Sequence, residues 1–193
     1  MKKLIFLIVI FFTFQNCNKV KNNIKEKMHI PDYSYKEAGI DQFYYSYTDL
    51  GNTPVFPLIK PFKILKVGNP REWLLDTDLG GIDNELGGNI SPLVYFNVVE
   101  NFIYGYKSEY KDDKIPDFNM PQKWFILNTQ DKKLQYFDKE SDFKARLKKL
   151  NLPETFLNPD EVYEQYKQDP VLPWFPEGIK KQLQEVKAKK ENK

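Results

Sequence analysis

Four carboxylates crowd one glycine-rich stretch, "DTDLGGIDNELGGN", where Asp76, Asp78, Asp83 and Glu85 are interleaved with Gly80, Gly81, Gly87 and Gly88. Hard oxygen ligands on a flexible loop suit calcium, and paired carboxylates serve as acid and base in glycoside cleavage. Set against an EF-hand loop, Asp76, Asp78 and Gly81 fall at positions 1, 3 and 6. Gly80 then takes position 5 and Gly87 position 12, where the bidentate glutamate belongs, and Glu85 arrives two residues early. Calcium is therefore a weak reading of Asp76, Asp78, Asp83 and Glu85, and neither a metal nor another cofactor is expected. Turns favour Gly, Asp and Asn for backbone reasons alone. The stretch is expected to be a binding loop, and Trp73 beside it, with nearby tyrosines, offers rings on which a sugar could stack.

Other chemistries lack their residues. His29 is the sole histidine and lies in a polar segment, so the domain has no imidazole for general-base work. There is no G-x-S-x-G elbow, no phosphate-cradling glycine loop and no His/Cys metal cluster in the sequence. Carboxylate, lysine or tyrosine chemistry is what remains, without a positive signal for any of them, so a non-enzymatic role is expected. Formal charge is +2, and without Lys2 and Lys3 the chain carries 27 basic against 27 acidic residues. That balance argues against nucleic acid, which calls for a strongly basic face.

The single cysteine, Cys17, follows Lys2, Lys3 and an unbroken apolar run from Leu4 to Phe12, extended by Phe14. Such a run has the length of a signal-peptide core and falls short of the ~20 residues that span a bilayer. The stretch resembles the signal of a bacterial lipoprotein, in which a peptidase cuts before a cysteine that is then lipidated. Phe14 and Asn16 stand where the usual motif has an aliphatic and a small residue. An uncleaved anchor and an ordinary secretory signal are the alternatives. A lone cysteine forms no intramolecular bridge, and only lysines follow as partners for a reactive thiol. The resemblance implies palmitate-type acylation of Cys17, a membrane as partner, and a place in the cell envelope. Asn18 is not the aspartate that marks inner-membrane retention, which points to the outer membrane or its periplasmic face.

The elements that must position these groups suggest an α+β domain. Residues 1–16 read as the signal peptide, 17–38 as a flexible membrane tether, 39–187 as one domain and 188–193 as a basic tail. Domains commonly run to ~100–150 residues. "FYYSYTDL" is a first strand or a packed turn, and Pro54, Pro57 and Pro61 confine the next stretch to extended, edge or loop conformations. "FKILKV", "EWLLDT", "LVYFNVV", "NFIYGYKS", "KWFILNT" and "LQYFD" read as strands, with turns at Glu100–Asn101 and at "QDKK". Together they predict one mostly antiparallel, twisted sheet of five or six strands.

Two or three helices close the chain. "SDFKARLKKLNL" places Phe143, Leu147 and Leu150 on one stripe, with Ser141 or Asp138 as cap. "NPDEVYEQYK" has Asn158 as N-cap, Pro159 at N1, and Asp160 and Glu161 in the first turn. A last helix from Glu177 carries Ile179, Leu183 and Val186, and "PVLPWFP" is an extended strap laying Trp174 and Phe175 on the domain. The segment from Gly178 to Lys193 holds six lysines and two glutamates.

The run "PLIKPFKIL…REWLLD…KWFILNTQDKKLQYFDKESDFKARLKKL" is similar to small bacterial envelope lipoproteins, some of which accompany toxin genes as immunity factors. Its matching residues are structural, with Tyr136, Phe137 and Phe143 at the joint between hairpin and helix. The resemblance implies a lipid-anchored protein that acts by binding another protein and carries over no functional residues; the acidic loop and exposed strand edges are the expected contact surface on the residues' own account. A carboxylate-dependent envelope enzyme or glycan-binding protein using loop 76–85 is the alternative.

Overall fold

Successive side chains of a strand point to opposite faces of its sheet, so what covers each face decides which residues are buried. The computed structural model describes residues 33–49, 52–68, 72–85, 88–111 and 119–191. Cys17, His29, the expected signal peptide and most of the expected tether lie outside these residues. Strands β1 (Thr48–Asp49), β2 (Thr53–Pro57), β3 (Lys63–Val67) and β4 (Glu72–Leu75) form an antiparallel sheet in that order. Then follow β5 (Leu93–Val99), β6 (Phe102–Lys107), β7 (Tyr110–Lys111), β8 (Asn119–Met120), β9 (Lys123–Asn128) and β10 (Lys133–Phe137). A second antiparallel sheet has the order β10-β9-β6-β5, and β7 and β8 pair as a short ribbon.

The fold class is α+β, and every strand pair is antiparallel. The expected single sheet of five or six strands is instead two four-stranded sheets and a ribbon. Two features of the first sheet hide it from a sequence reading. Its β2 is bounded by Pro54 and Pro57, with only Val55 and Phe56 between them, and its β1 is two residues long.

The sheets share one core. Phe56, Ile64 and Leu75 are cross-strand neighbours on the inner face of the first sheet, and Phe96, Ile103, Phe125 and Leu127 line the inner face of the second. A paired bridge between Leu75 and Ile90 ties β4 to the approach of β5. The outer face of the second sheet carries a smaller cluster of Tyr104, Ile126, Phe143, Leu147 and Leu152. Tight hairpins set this register. Glu100 takes φ 52° in the β5–β6 turn, and Lys132 takes φ 57° in the β9–β10 turn. Gly105 has no alternative side chain, since a Cβ there would stand 2.1 Å from the Tyr95 carbonyl oxygen on β5.

Four helices complete the described residues: α1 (Tyr33–Glu37), α2 (Glu140–Lys149), α3 (Pro159–Gln168) and α4 (Glu177–Glu191). Helix α2 seals the outer cluster with Phe143, which stacks on Trp124 at 4.9 Å and meets Phe137 at 5.8 Å. Tyr136 points to the opposite face, so it does not share the expected joint with Phe137 and Phe143. The expected cap of α2 is also corrected: Lys139 holds the N-cap position with no side-chain bond, while Asp138 pairs with Lys123. The charges of Glu140 and Asp142 in the first turn serve there instead.

Helix α3 starts as its sequence dictates. Asn158 Oδ1 accepts from the Asp160 amide at 2.8 Å and Pro159 opens the first turn. Beyond α3, Leu172 and Phe175 are buried, and the Trp174 indole N–H donates to the Pro57 carbonyl at 3.1 Å, so the strap lies on the core as expected.

Both ends of the domain extend past their expected bounds. Residues 33–37 of the expected tether are helix α1, whose Tyr35 is buried against Tyr45. The expected basic tail is helical through Glu191, and Lys190 Nζ lies 4.5 Å over the Tyr35 ring. Each end is also held by the main core, α1 through Tyr35 on Tyr45 and α4 through Leu183 and Val186.

Candidate functional site: the acidic loop between β4 and β5

The main chain between β4 and β5 leaves Leu75 and returns at Ile90, and those two residues exchange N–H···O bonds of 3.0 Å each. A segment whose ends are clamped and whose interior packs on itself is an Ω-loop, a form that often carries function. Its first turn is a 3₁₀ helix, Asp78–Gly80, closed by Gly81 at φ 64°. The Asp76 carboxylate accepts from the Leu79 amide at 3.2 Å, and the Thr77 carbonyl accepts from Gly80 and Ile82.

The loop is filled from within. Thr77 is 0% exposed, and its amide donates to Asn89 Oδ1 at 2.8 Å. Ile82 is buried in the main core, and Gly80 sits face to face with the buried Phe62 ring. Asn84 donates to the Gly88 carbonyl and accepts from the Tyr136 hydroxyl at 2.8 Å. Burial, with the Glu85 charge adding to it, pushes the Tyr136 hydroxyl up to about 12 against the opposing Asn84 bond. At the loop's far end the Lys107 ammonium donates to the Ser91 carbonyl at 3.3 Å. Lys107 is 1% exposed, and burial first, then the neighbouring Lys123 charge, holds its ammonium below the usual lysine range.

These contacts place the four expected site residues separately. Asp76 is half-buried and spends its oxygen on the turn, whereas Asp78, Asp83 and Glu85 are exposed. Among the described residues no group of three or more His, Cys, Asp or Glu side chains is arranged to hold a metal ion. The weak calcium reading therefore has no ligand set here: a loop built around Thr77, Ile82 and two asparagines turns its carboxylates outward and apart.

Trp73 is not a platform for a sugar. It is 5% exposed, its indole N–H donates to Asp160 Oδ1 at 2.9 Å, and Lys66 Nζ lies 5.0 Å over its ring. Lys66 also pairs with Asp160 at 2.6 Å, so this constellation docks α3 on the first sheet. The hydrogen bond from Lys66 is the main cause that holds the Asp160 carboxyl below its usual range.

What the loop does display is Leu79, 46% exposed at the outside of the 3₁₀ turn between Asp78 and Gly80. The sequence reading passed over it, for a leucine among glycines and acids looks like any loop residue. The available signal was Gly80–Gly81 directly after it, which permits a tight turn. Tyr95 is the other large apolar side chain left open among the described residues, 44% exposed on the outer face of the second sheet.

Comparison of the chain with models of protein families, with curated proteins and with solved structures finds no match.

Proposed function

We propose that this is a non-enzymatic, lipid-anchored protein of the bacterial cell envelope that binds another protein through the loop between β4 and β5. The observation that supports it is Leu79, an apolar knob held out by a pinned turn and accompanied by the exposed carboxylates of Asp78, Asp83 and Glu85. An exposed apolar group with a charged rim suits a partner that offers a small apolar recess edged by lysine or arginine. Because the turn that carries Leu79 is already fixed by its hydrogen bonds, little conformational freedom is lost there on docking, and that raises affinity for a given area.

The anchor half of the reading comes from Lys2, Lys3, the apolar run and Cys17. Two acyl chains suffice for stable attachment, at about 0.8 kcal/mol per buried methylene. A short tether then raises the effective concentration of the domain against a membrane-bound partner, which suits an immunity-type blocker. Two experiments test the proposal. Palmitate labelling of the expressed protein should vanish in Cys17→Ser. A partner recovered from crosslinked envelope membranes should be lost with Leu79→Ser and weakened by Asp78→Asn/Asp83→Asn, while thermal unfolding stays the same. A partner retained by all three substitutions would rule out the loop as the contact.

A further inference from the structure

We infer that the surface formed by the last turns of α4 beside α1 faces an anionic lipid bilayer and holds the domain in one orientation on it. The inference rests on the lipid-anchor reading above, and adds to it a second, electrostatic contact made by the folded body itself.

The carrying observation is a meeting of chain ends. Helix α1 is the first element of the folded body, and it packs on α4, the last. Lys190 Nζ stands 4.5 Å from the centre of the Tyr35 ring, and Tyr35 in turn packs on Tyr45. The chain that leads to Cys17 therefore joins the body at Tyr33, beside the basic end of α4. A lipid on Cys17 would tether the domain through that side.

Charge is divided along the same line. Residues 17–32 carry four lysines against Glu26 and Asp32, and residues 177–193 carry six lysines against Glu177, Glu185 and Glu191. Between them, residues 33–176 hold 17 basic and 22 acidic side chains. The chain without its first 16 residues is neutral overall, so its ends are net +5 and its body net −5. The fold brings the basic end of α4 to the junction with residues 17–32. In the last turn of α4, Lys189 and Lys190 are exposed, whereas Lys187 just before them pairs with Asp169. An anionic surface attracts the junction and repels the remaining body, which both adds affinity and sets orientation. The attraction decays within a Debye length, about 8 Å at physiological salt.

The test uses the full chain and phosphatidylcholine vesicles with or without about a third of phosphatidylglycerol, the neutral vesicles giving the baseline from acyl chain and apolar run. The ratio of anionic to neutral partitioning is expected to exceed one and to fall with added salt. Lys189→Gln/Lys190→Gln, both in the last turn of α4, should lower that ratio by roughly fivefold per lysine removed, the effect of a basic residue close to an anionic surface. Lys148→Gln/Lys149→Gln on α2 changes net charge equally and should leave the ratio where it was. A ratio of one in the wild type, or equal losses from both double variants, would overturn the inference. Acylation of Cys17 is read separately by the mass of the membrane-extracted protein, so failure of the anchor and failure of the lysine surface remain distinct results.

Discussion

Replacing Gly80 by alanine asks whether the acidic loop is held as a solid part of the core. A Cβ at that position would stand 2.0 Å from Cζ and 2.2 Å from Cε1 of Phe62. Carbon atoms rest at about 3.5–4.0 Å, so the ring or the turn must yield by more than ~1 Å. Neither has room. Phe62 is 2% exposed in the main core, and the turn is fixed by bonds at Asp76, Thr77 and Asp78. Overpacking of this kind costs about 1–3 kcal/mol. At roughly 2–4 °C per kcal/mol for a domain of this length, the melting temperature should fall by about 2–12 °C. Gly81→Ala is the comparison, because its Cβ would meet only Lys132 Nζ at an ordinary 3.7 Å. Its cost is the left-handed backbone at φ 64°, about 1 kcal/mol. Phe62→Leu should create room, so the Gly80→Ala/Phe62→Leu pair should lose less stability than its two members summed. Circular dichroism during thermal and urea unfolding measures all four chains. An unchanged melting temperature for Gly80→Ala, or strict additivity with Phe62→Leu, would refute the packing of loop on ring.

The docking of α3 should be acid-sensitive. The folded state depresses the Asp160 carboxyl through Lys66 and Trp73, so its contribution is complete above the unfolded value of ~3.9 and fades as pH falls through the lower folded value. Wild type should therefore lose more of its urea midpoint between about pH 5 and about pH 2.5 than Asp160→Asn does, and parallel curves would count against the bond. Alkali should find several reluctant tyrosines, for burial pushes Tyr104 and Tyr136 each up to about 12 and holds Tyr166 well above the usual tyrosine value. Their protonated forms favour the fold, so stability should drop as pH rises from about 10, the unfolded value, toward about 12. Tyrosinate absorbance at about pH 11 should lag in the native chain and catch up in urea, and Tyr104→Phe/Tyr136→Phe should reduce the lag; no lag would show both hydroxyls open to solvent.

Strands and turns were readable wherever their cause is local. "LVYFNVV" and "KWFILNT" are β-branched and aromatic runs of strand length, and Asn158–Pro159 states a helix start in two residues. Pairing between sheets is a different matter. Leu75 meets Ile90 and Phe96 meets Leu157 by single bridges, too brief to leave a pattern. The acidic loop was located by its composition, yet composition does not tell where carboxylates point. Thr77, Asn84 and Asn89 decide that, by filling the interior that a metal site would need.

The same gap separates charge along a chain from charge in space. Lysines can be counted at both termini, but counting leaves two unrelated tails, each free to be merely solvated. One ring changes this: Tyr35 is buried in the main core against Tyr45, and Lys190 of the returning α4 lies over it. A five-residue helix has no stability of its own, since isolated helices shorter than ~12 residues are marginal in water. Its order must come from packing on the body, and one of its contacts, Lys190 on Tyr35, lies 155 positions away. That contact sets the basic last turn of α4 beside the point where residues 17–32 join the body, a placement that counting lysines along the chain does not reveal.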